Sequence, residues 1–473
     1  MTRTVLLDVV GLTSRLIGEH TPNLRAFRDA GHLAVVDPAF PAVTCTAQSN
    51  YLTGLTPSQH GIVGNGWYHR ELSEVQFWKQ SNRLVTGEKL WEFARRQRPD
   101  FTCAKVFWWY NMYSTADYSI TPRPLYPADG RKVFDVHAWP YSIRTEIKRD
   151  LGEFPFAGFW GPGAGRVTPQ GGRDCASRWI AESAKWIETR YRPTLSLVYL
   201  PHLDYNLQRL GVVTPAGVVR PEIVPDLREI DALVGDLLRF YASAGVQVAM
   251  LSEYGLVDVD QPVHLNRLFR NKGWLVVKDE LGLETLDAGA SRVFAVADHQ
   301  VAHVYINDAN LASEARALLE QTPGIAEVLD SQAKRARGVD HARSGDLIAV
   351  AGERAWFTYY YWFDDAKAPD FARCVDIHRK PGYDPVELFT DPRFSALGLK
   401  ARVGWRLLKK RLGFRMLMDL IPLEAELVRG SHGGRPSDPR DWPVALTPSA
   451  WSLPATLTST ELGAAIRQWV VDG

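Results

Sequence analysis

The sequence predicts an α/β fold: a mostly parallel sheet sandwiched by helices, with a cap subdomain inserted late in the chain. Three observations carry this. Through the first half, short apolar runs alternate with stretches of helical periodicity, the pattern of strands joined through helical crossovers. Three runs stop at a carboxylate: 5–7 at Asp8, Leu195–Leu200 shortly before Asp204, and Val246–Leu251 before Glu253. In open parallel sheets the carboxyl ends of the strands form the crevice where ligands bind. Finally, 473 residues exceed one ordinary compact core yet fall short of three domains, which favours one large domain with an insertion.

Taken in order, residues 5–7 read as a short buried strand. Thr21 is placed as an N-cap and Pro22 at the first helical position, opening a helix through Leu24 and Phe27. Leu195–Leu200 is a second strand. Residues 222–241 follow with Leu227, Ile230, Leu233, Val234, Leu237 and Leu238 at helical spacing, and Val246–Leu251 is a third strand. After Gly255 the regularity loosens: 294–296, 303–306 and 347–350 read as strands, 314–319 as helix, and 356–363 is an aromatic run. This places the core in 1–264 and 425–473. Residues 265–424 are in part a cap or inserted subdomain with some core strands.

The net charge of +1 supplies no global field to attract a nucleic acid, so none is expected as partner. Attraction to anions must be local. The N-terminal apolar run is too short for a signal segment, and no stretch of about 18 apolar residues suggests a transmembrane helix. Cys45, Cys103, Cys175 and Cys374 form no C-x-x-C pair, which reads as reduced thiols in a cytoplasmic protein. Segment 400–415 sets Lys400, Arg402, Arg406, Lys409, Lys410, Arg411 and Arg415 among Leu, Val and Trp. A basic amphipathic helix can make weak contact with a membrane surface, although such a stretch is more often a solvated face. Oligomeric state is not encoded legibly.

Three acids delivered to one sheet edge repel one another unless a cation neutralises them. Turns favour Asp on their own account, but three in succession favour a metal or substrate site. Thr44 lies between an apolar segment and a helix start, where backbone N–H groups and the helix dipole favour an anion. That suits a nucleophile attacking phosphorus when a metal lowers its pKa. The local pattern alone equally describes a Thr N-cap.

The stretch Thr53-Gly54-Leu55-Thr56-Pro57-Ser58-Gln59-His60-Gly61-Ile62-Val63-Gly64-Asn65 resembles the signature of the nucleotide pyrophosphatase/phosphodiesterase family of the alkaline phosphatase superfamily. The resemblance continues through Asp8 before Gly11, through Asp204, through Glu253-Tyr254-Gly255, and through His432 before Gly433. It implies an alkaline-phosphatase-like fold and a hydrolase of phosphodiester, pyrophosphate or related phosphoryl bonds in a small phosphorylated substrate. Counting from Pro41 and Gly54, it places the nucleophile on Thr44. It also implies two divalent ions, usually zinc: one on Asp8, Thr44 and residues 253–254, the other on Asp204, a histidine and His432.

The sequence departs from that family pattern. Gln208 and Tyr254 stand where histidines belong, Glu253 replaces Asp, and Ala47 replaces a phosphate-binding Asn, with Thr46 or Gln48 as stand-ins. An amide or phenol is a poor zinc ligand beside imidazole. One ion rather than two, or Mn or Mg in place of zinc, is then an alternative. So is recruitment of His202, of His378 or, ranked below His378, of His299 after Asp298. A non-catalytic or single-metal phosphate-binding protein on the same scaffold is the competing reading.

Overall fold

Strand Arg3–Val9 buries six of its seven residues, as a strand covered on both faces does. Its neighbours on either side, Leu195–Leu200 and Val246–Leu251, run parallel to it, and the register sets Asp8 beside Tyr199 and Leu251. The computed structural model describes residues 2–128, 132–166, 176–414 and 417–472; Cys175 and Arg415 lie outside them.

Among the described residues the main sheet has nine strands. From edge to edge they are Thr456–Thr458, Gly31–Asp37, Val444–Pro448, Val246–Leu251, Arg3–Val9, Leu195–Leu200, Cys103–Val106, Tyr118–Pro122 and Val136–Trp139. Pairing is parallel through the centre. Val444–Pro448 is antiparallel to both its neighbours, and the last strand closes the far edge antiparallel. The mostly parallel sheet predicted from the alternating pattern is therefore present.

Side chains alternate across a strand, and the two faces pack accordingly. Val5, Leu7 and Val9 join a core with helices Ala176–Tyr191 and Val224–Ser243. Leu6, Leu195 and Leu197 join another with Leu90–Gln97 and Ser459–Asp472. Burying a leucine or valine side chain contributes about 1.5–3 kcal/mol, so these two layers hold the strand ends in place.

One local expectation is corrected. Thr21 does precede helix Pro22–Ala30, but its hydroxyl makes no capping bond. It accepts from the Gly18 N–H at 2.8 Å and donates to the Leu16 carbonyl at 3.1 Å. The cap comes from Asp231, which accepts from the N–H groups of Asn23 (3.1 Å) and Leu24 (2.8 Å). A carboxylate at the positive end of a helix dipole outcompetes a hydroxyl.

Residues 265–424 contribute no strand to the nine-stranded sheet among the described residues. They build an antiparallel four-stranded sheet in the order Val293–Asp298, Val301–Ile306, Leu347–Ala351, Ile325–Leu329. Trp356, Phe357, Tyr359, Tyr360, Tyr361 and Trp362 are buried in its core. The aromatic run is thus packing, not pocket. The hairpin turn between Asp298 and Val301 projects His299 in the left-handed region, at φ +61°. Among the described residues no helix is long and apolar enough to cross a membrane.

Candidate active site

Thr44 is the first residue of helix Thr44–Thr53, every residue of which is buried. Val43, not Thr44, occupies the N-cap position, and its side chain makes no capping bond. That removes the capping role as the reason for a hydroxyl at 44. The helix ends on Gly54 at φ +67°, a left-handed conformation that glycine adopts without a Cβ clash. The chain then turns back, so that Asn65 accepts from the Cys45 N–H at 3.0 Å. Asp298 fixes Asn65 in turn, accepting from its N–H (2.8 Å) and its side-chain amide (3.1 Å).

Asp8 and Glu253, both fully buried, meet at the ends of adjacent strands. The Gln48 amide lies between them, donating to Asp8 Oδ2 at 3.2 Å and Glu253 Oε1 at 2.6 Å. Its own oxygen accepts from the Trp109 N–H at 2.8 Å. Two oxygens remain buried without a hydrogen-bond partner, Asp8 Oδ1 and Glu253 Oε2. Burial, reinforced by the facing Glu253, pushes the Asp8 carboxyl well above the usual range. Burial also pushes Glu253 up to about 7, against the opposing effects of Asp8, Thr44 and Gln48. Two facing buried carboxylates repel each other unless a proton or a cation lies between them.

Asp204 sits in the first turn of helix His202–Leu210. It accepts from the Gln208 amide one turn later at 2.7 Å and from the Tyr254 hydroxyl at 3.3 Å. His432 Nε2 stands 3.9 Å away, and its Nδ1 bonds the Ala42 carbonyl at 2.7 Å. Burial raises Asp204 to about 7 against the Gln208 hydrogen bond. The Tyr254 hydroxyl also lies 3.4 Å from Thr44 Oγ1, so it links the nucleophile candidate to Asp204.

Four rings pile up behind this point. Tyr254 stacks on His432, His432 lies tilted by 36° against His299 (centroids 3.7 Å apart), and His299 stacks on Tyr383 (3.6 Å). Asp298 holds His299 Nδ1 at 2.8 Å, and Tyr383 donates to Gln208 Oε1 at 3.0 Å. Thr44, Asn65, Asp204, Tyr254, His299 and His432 line a cleft whose walls include Trp78, Trp109, Trp160 and Tyr205.

The structure thus brings together Asp8, Thr44, Gln48, Asp204, Gln208, Glu253, Tyr254 and His432. It does not bring in His202, whose Nε2 pairs with Asp226 at 3.2 Å. His378 is bonded to the Phe77 carbonyl at 3.3 Å, and the residue at the cleft is His299, reversing their expected rank. The doublet Asp298-His299 was the available signal; only the hairpin of the second sheet gives it a place. Thr46 donates to the Ile62 carbonyl at 3.2 Å, and the Gln48 amide is engaged by the two acids.

The donor set does not fit two zinc ions. Gln208 and Tyr254 donate hydrogen bonds to Asp204, the carboxylate that a second ion needs. It does fit one oxygen-coordinated cation. The orphaned oxygens of Asp8 and Glu253, with the Thr44 hydroxyl beside them, supply hard donors of the kind Mg²⁺ or Mn²⁺ accepts.

Comparison with known proteins agrees with this architecture. An uncharacterized pyrophosphatase/phosphodiesterase of Schizosaccharomyces pombe is 24% identical over 259 residues, 52% of this chain and 42% of that protein. The chain therefore spans less than half of that curated relative. Human ectonucleotide pyrophosphatase/phosphodiesterase 5 superposes with a TM-score of 0.58 at 14% identity, covering 99% of this chain and 95% of its own. The murine protein of the same name, in complex with AMP, gives 0.55 at 13% identity, with 99% and 95% covered. Phosphonoacetate hydrolase from Sinorhizobium meliloti 1021, in complex with phosphonoformate, gives 0.59 at 13%, with 99% and 96% covered. These likenesses establish the alkaline-phosphatase-like fold. The family model for type I phosphodiesterase/nucleotide pyrophosphatase matches residues 4–384, and the chain belongs to that family.

Proposed function

We propose that this protein hydrolyses phosphodiester or pyrophosphate bonds of a small phosphorylated substrate, with Thr44 as nucleophile and one divalent cation on Asp8, Glu253 and Thr44. The observation that carries the reading is the Thr44 hydroxyl: it caps nothing, it lines the cleft, and the Tyr254 hydroxyl lies within 3.4 Å of it. When bound, the cation supplies positive charge that lowers the pKa of the hydroxyl.

The side chains suit two displacements. Thr44 Oγ1 forms a bond to phosphorus as the bond from phosphorus to the ester or anhydride oxygen breaks, and the Glu253 carboxylate takes the Thr44 proton and passes it to the leaving oxygen. Water then attacks the phosphothreonine and gives up a proton, by way of Glu253, to Thr44 Oγ1 as the Oγ1–P bond breaks. Tyr254 spans Thr44 and Asp204 and orients both hydroxyl and carboxylate. The aromatic walls Trp78, Trp109 and Trp160 suit a planar or apolar leaving group. The small phosphorus-containing ligands of the structural neighbours, AMP and phosphonoformate, are consistent with this substrate class.

A second reading has its own observation. Because Gln208 and Tyr254 occupy imidazole positions, the same cleft would suit a protein that binds a phosphate ligand without turnover. Metal-supplemented protein assayed on bis(p-nitrophenyl) phosphate and on a dinucleotide separates the two. Hydrolysis lost in Thr44→Ala supports the first. Unchanged turnover in that variant removes Thr44 from the mechanism, and ligand binding with no hydrolysis of any diester supports the second.

A further inference from the structure

Helix Ala396–Arg411 leaves an apolar row facing outward, which an ordinary surface helix does not. A globular helix directs its apolar stripe to the core and its charges to water. Here Leu397, Ala401, Trp405, Leu408 and Leu412 recur at helical spacing and are exposed, Leu397 at 79% and Leu412 at 64%. The half-buried face carries Leu399 and Val403 together with two arginines: Arg402 and Arg406 both donate to Asp419 Oδ2, at 2.6 and 2.8 Å. Arg402 also lies over the Phe394 ring at 4.8 Å. The ion pairs anchor the helix by that face and leave the apolar row outward.

The surroundings of that face say what covers it. Residues 396–411 contain no acid, and 400, 402, 406, 409, 410 and 411 are all basic. Lys400 and Arg411 are exposed beside the stripe, and Lys409 Nζ lies 5.4 Å over the Trp405 ring. Apposing a second copy through this face would set one cationic helix against another. A bilayer with anionic headgroups meets both properties at once: the acyl boundary takes the leucines, tryptophan sits at the interface, and long basic side chains reach lipid phosphates. Scattered exposed leucines need no explanation; a continuous row opposite an arginine anchor does.

We propose that Ala396–Arg411 docks the protein on an anionic membrane surface, lying in the interface plane with its Leu397–Leu412 face buried and Lys400, Lys409 and Arg411 against the headgroups. This does not depend on the hydrolytic reading. Full-length protein is to be floated with vesicles of phosphatidylcholine alone and of phosphatidylcholine mixed with phosphatidylglycerol. Binding is expected to the mixed vesicles and to fall as salt rises. The pair Trp405→Ser and Leu408→Ser should lower it by about tenfold or more. The pair Lys400→Glu and Arg411→Glu should lower it by about fivefold per charge removed.

Leu281→Ser, at a fully exposed hairpin tip elsewhere, should leave binding unchanged, and melting curves establish that every variant is folded. Wild-type protein that stays in solution with mixed vesicles overturns the proposal. So does binding that none of the Ala396–Arg411 variants alters. A solution dimer dispersed by Trp405→Ser and Leu408→Ser, without vesicle binding, would assign the face to a second copy instead.

Discussion

Tyr254 lies flat against His432, with ring centroids 3.5 Å apart and only 6° between the planes. The phenol stands at position 254, where the family resemblance implies an imidazole. Its hydroxyl donates to Asp204, as the Gln208 amide does. Both side chains donate a hydrogen bond where the resemblance implies a metal ligand, and a carboxylate satisfied by two donors has less to gain from a cation. Tyr254→His combined with Gln208→His should raise the zinc content of purified protein from at most one ion per chain to two, read by elemental analysis. An unchanged content would show that the substitutions are not what sets the metal number.

Gln48 holds two buried acids together with one amide nitrogen. In Gln48→Ala the pair loses that donor and the Trp109 N–H loses its acceptor. Each buried polar group left unmet costs about 1–3 kcal/mol. Metal-free Gln48→Ala should therefore melt below wild type, and added Mn²⁺ should raise its melting temperature more than it raises that of wild type. Equal Mn²⁺ shifts would place the cation away from Asp8 and Glu253.

The nucleophile reading distinguishes a hydroxyl from its bulk. Thr44→Ser keeps the attacking oxygen and should retain diester turnover within roughly tenfold, whereas Thr44→Ala should lose about a thousandfold or more. A Ser variant as inactive as Ala would point to lost packing at the buried helix start.

Lys105 gives the pH dependence. It is fully buried and donates to the carbonyls of Trp109 (3.2 Å) and Tyr110 (2.8 Å), fixing the segment that forms one wall of the cleft. Burial depresses its ammonium to about 7, partly opposed by Cys103. Between about pH 7 and its ordinary value near 10.5, the unfolded chain holds a proton that the folded protein does not. Stability contributed by this residue therefore rises with pH through that window and is lost as pH falls toward 7. Urea unfolding of wild type and Lys105→Met should differ most in the variant's favour at or below neutral pH. The difference should shrink toward alkaline pH by an amount on the order of a few kcal/mol. A difference that does not vary with pH would mean that Lys105 stays charged in the fold.

The sequence by itself determined the strands, the carboxylates at their ends and the placement of Thr44 at a helix start. Apolar runs, helical spacing and a contiguous motif are properties of neighbouring residues. Tertiary structure decided what those residues meet. Position 44 reads as a cap until the chain folds with Val43 in that role, and Thr21 reads as a cap until Asp231 arrives from another helix. His299 ranks below His378 until the hairpin of the second sheet sets it against His432. The same holds for charge: 400–415 reads as a solvated basic stretch until Asp419 draws Arg402 and Arg406 inward. Hydrogen bonds and ion pairs form between whichever donors and acceptors packing brings within about 3 Å. The partners at 8, 48, 204, 253 and 432 are brought together only when the sheet has formed.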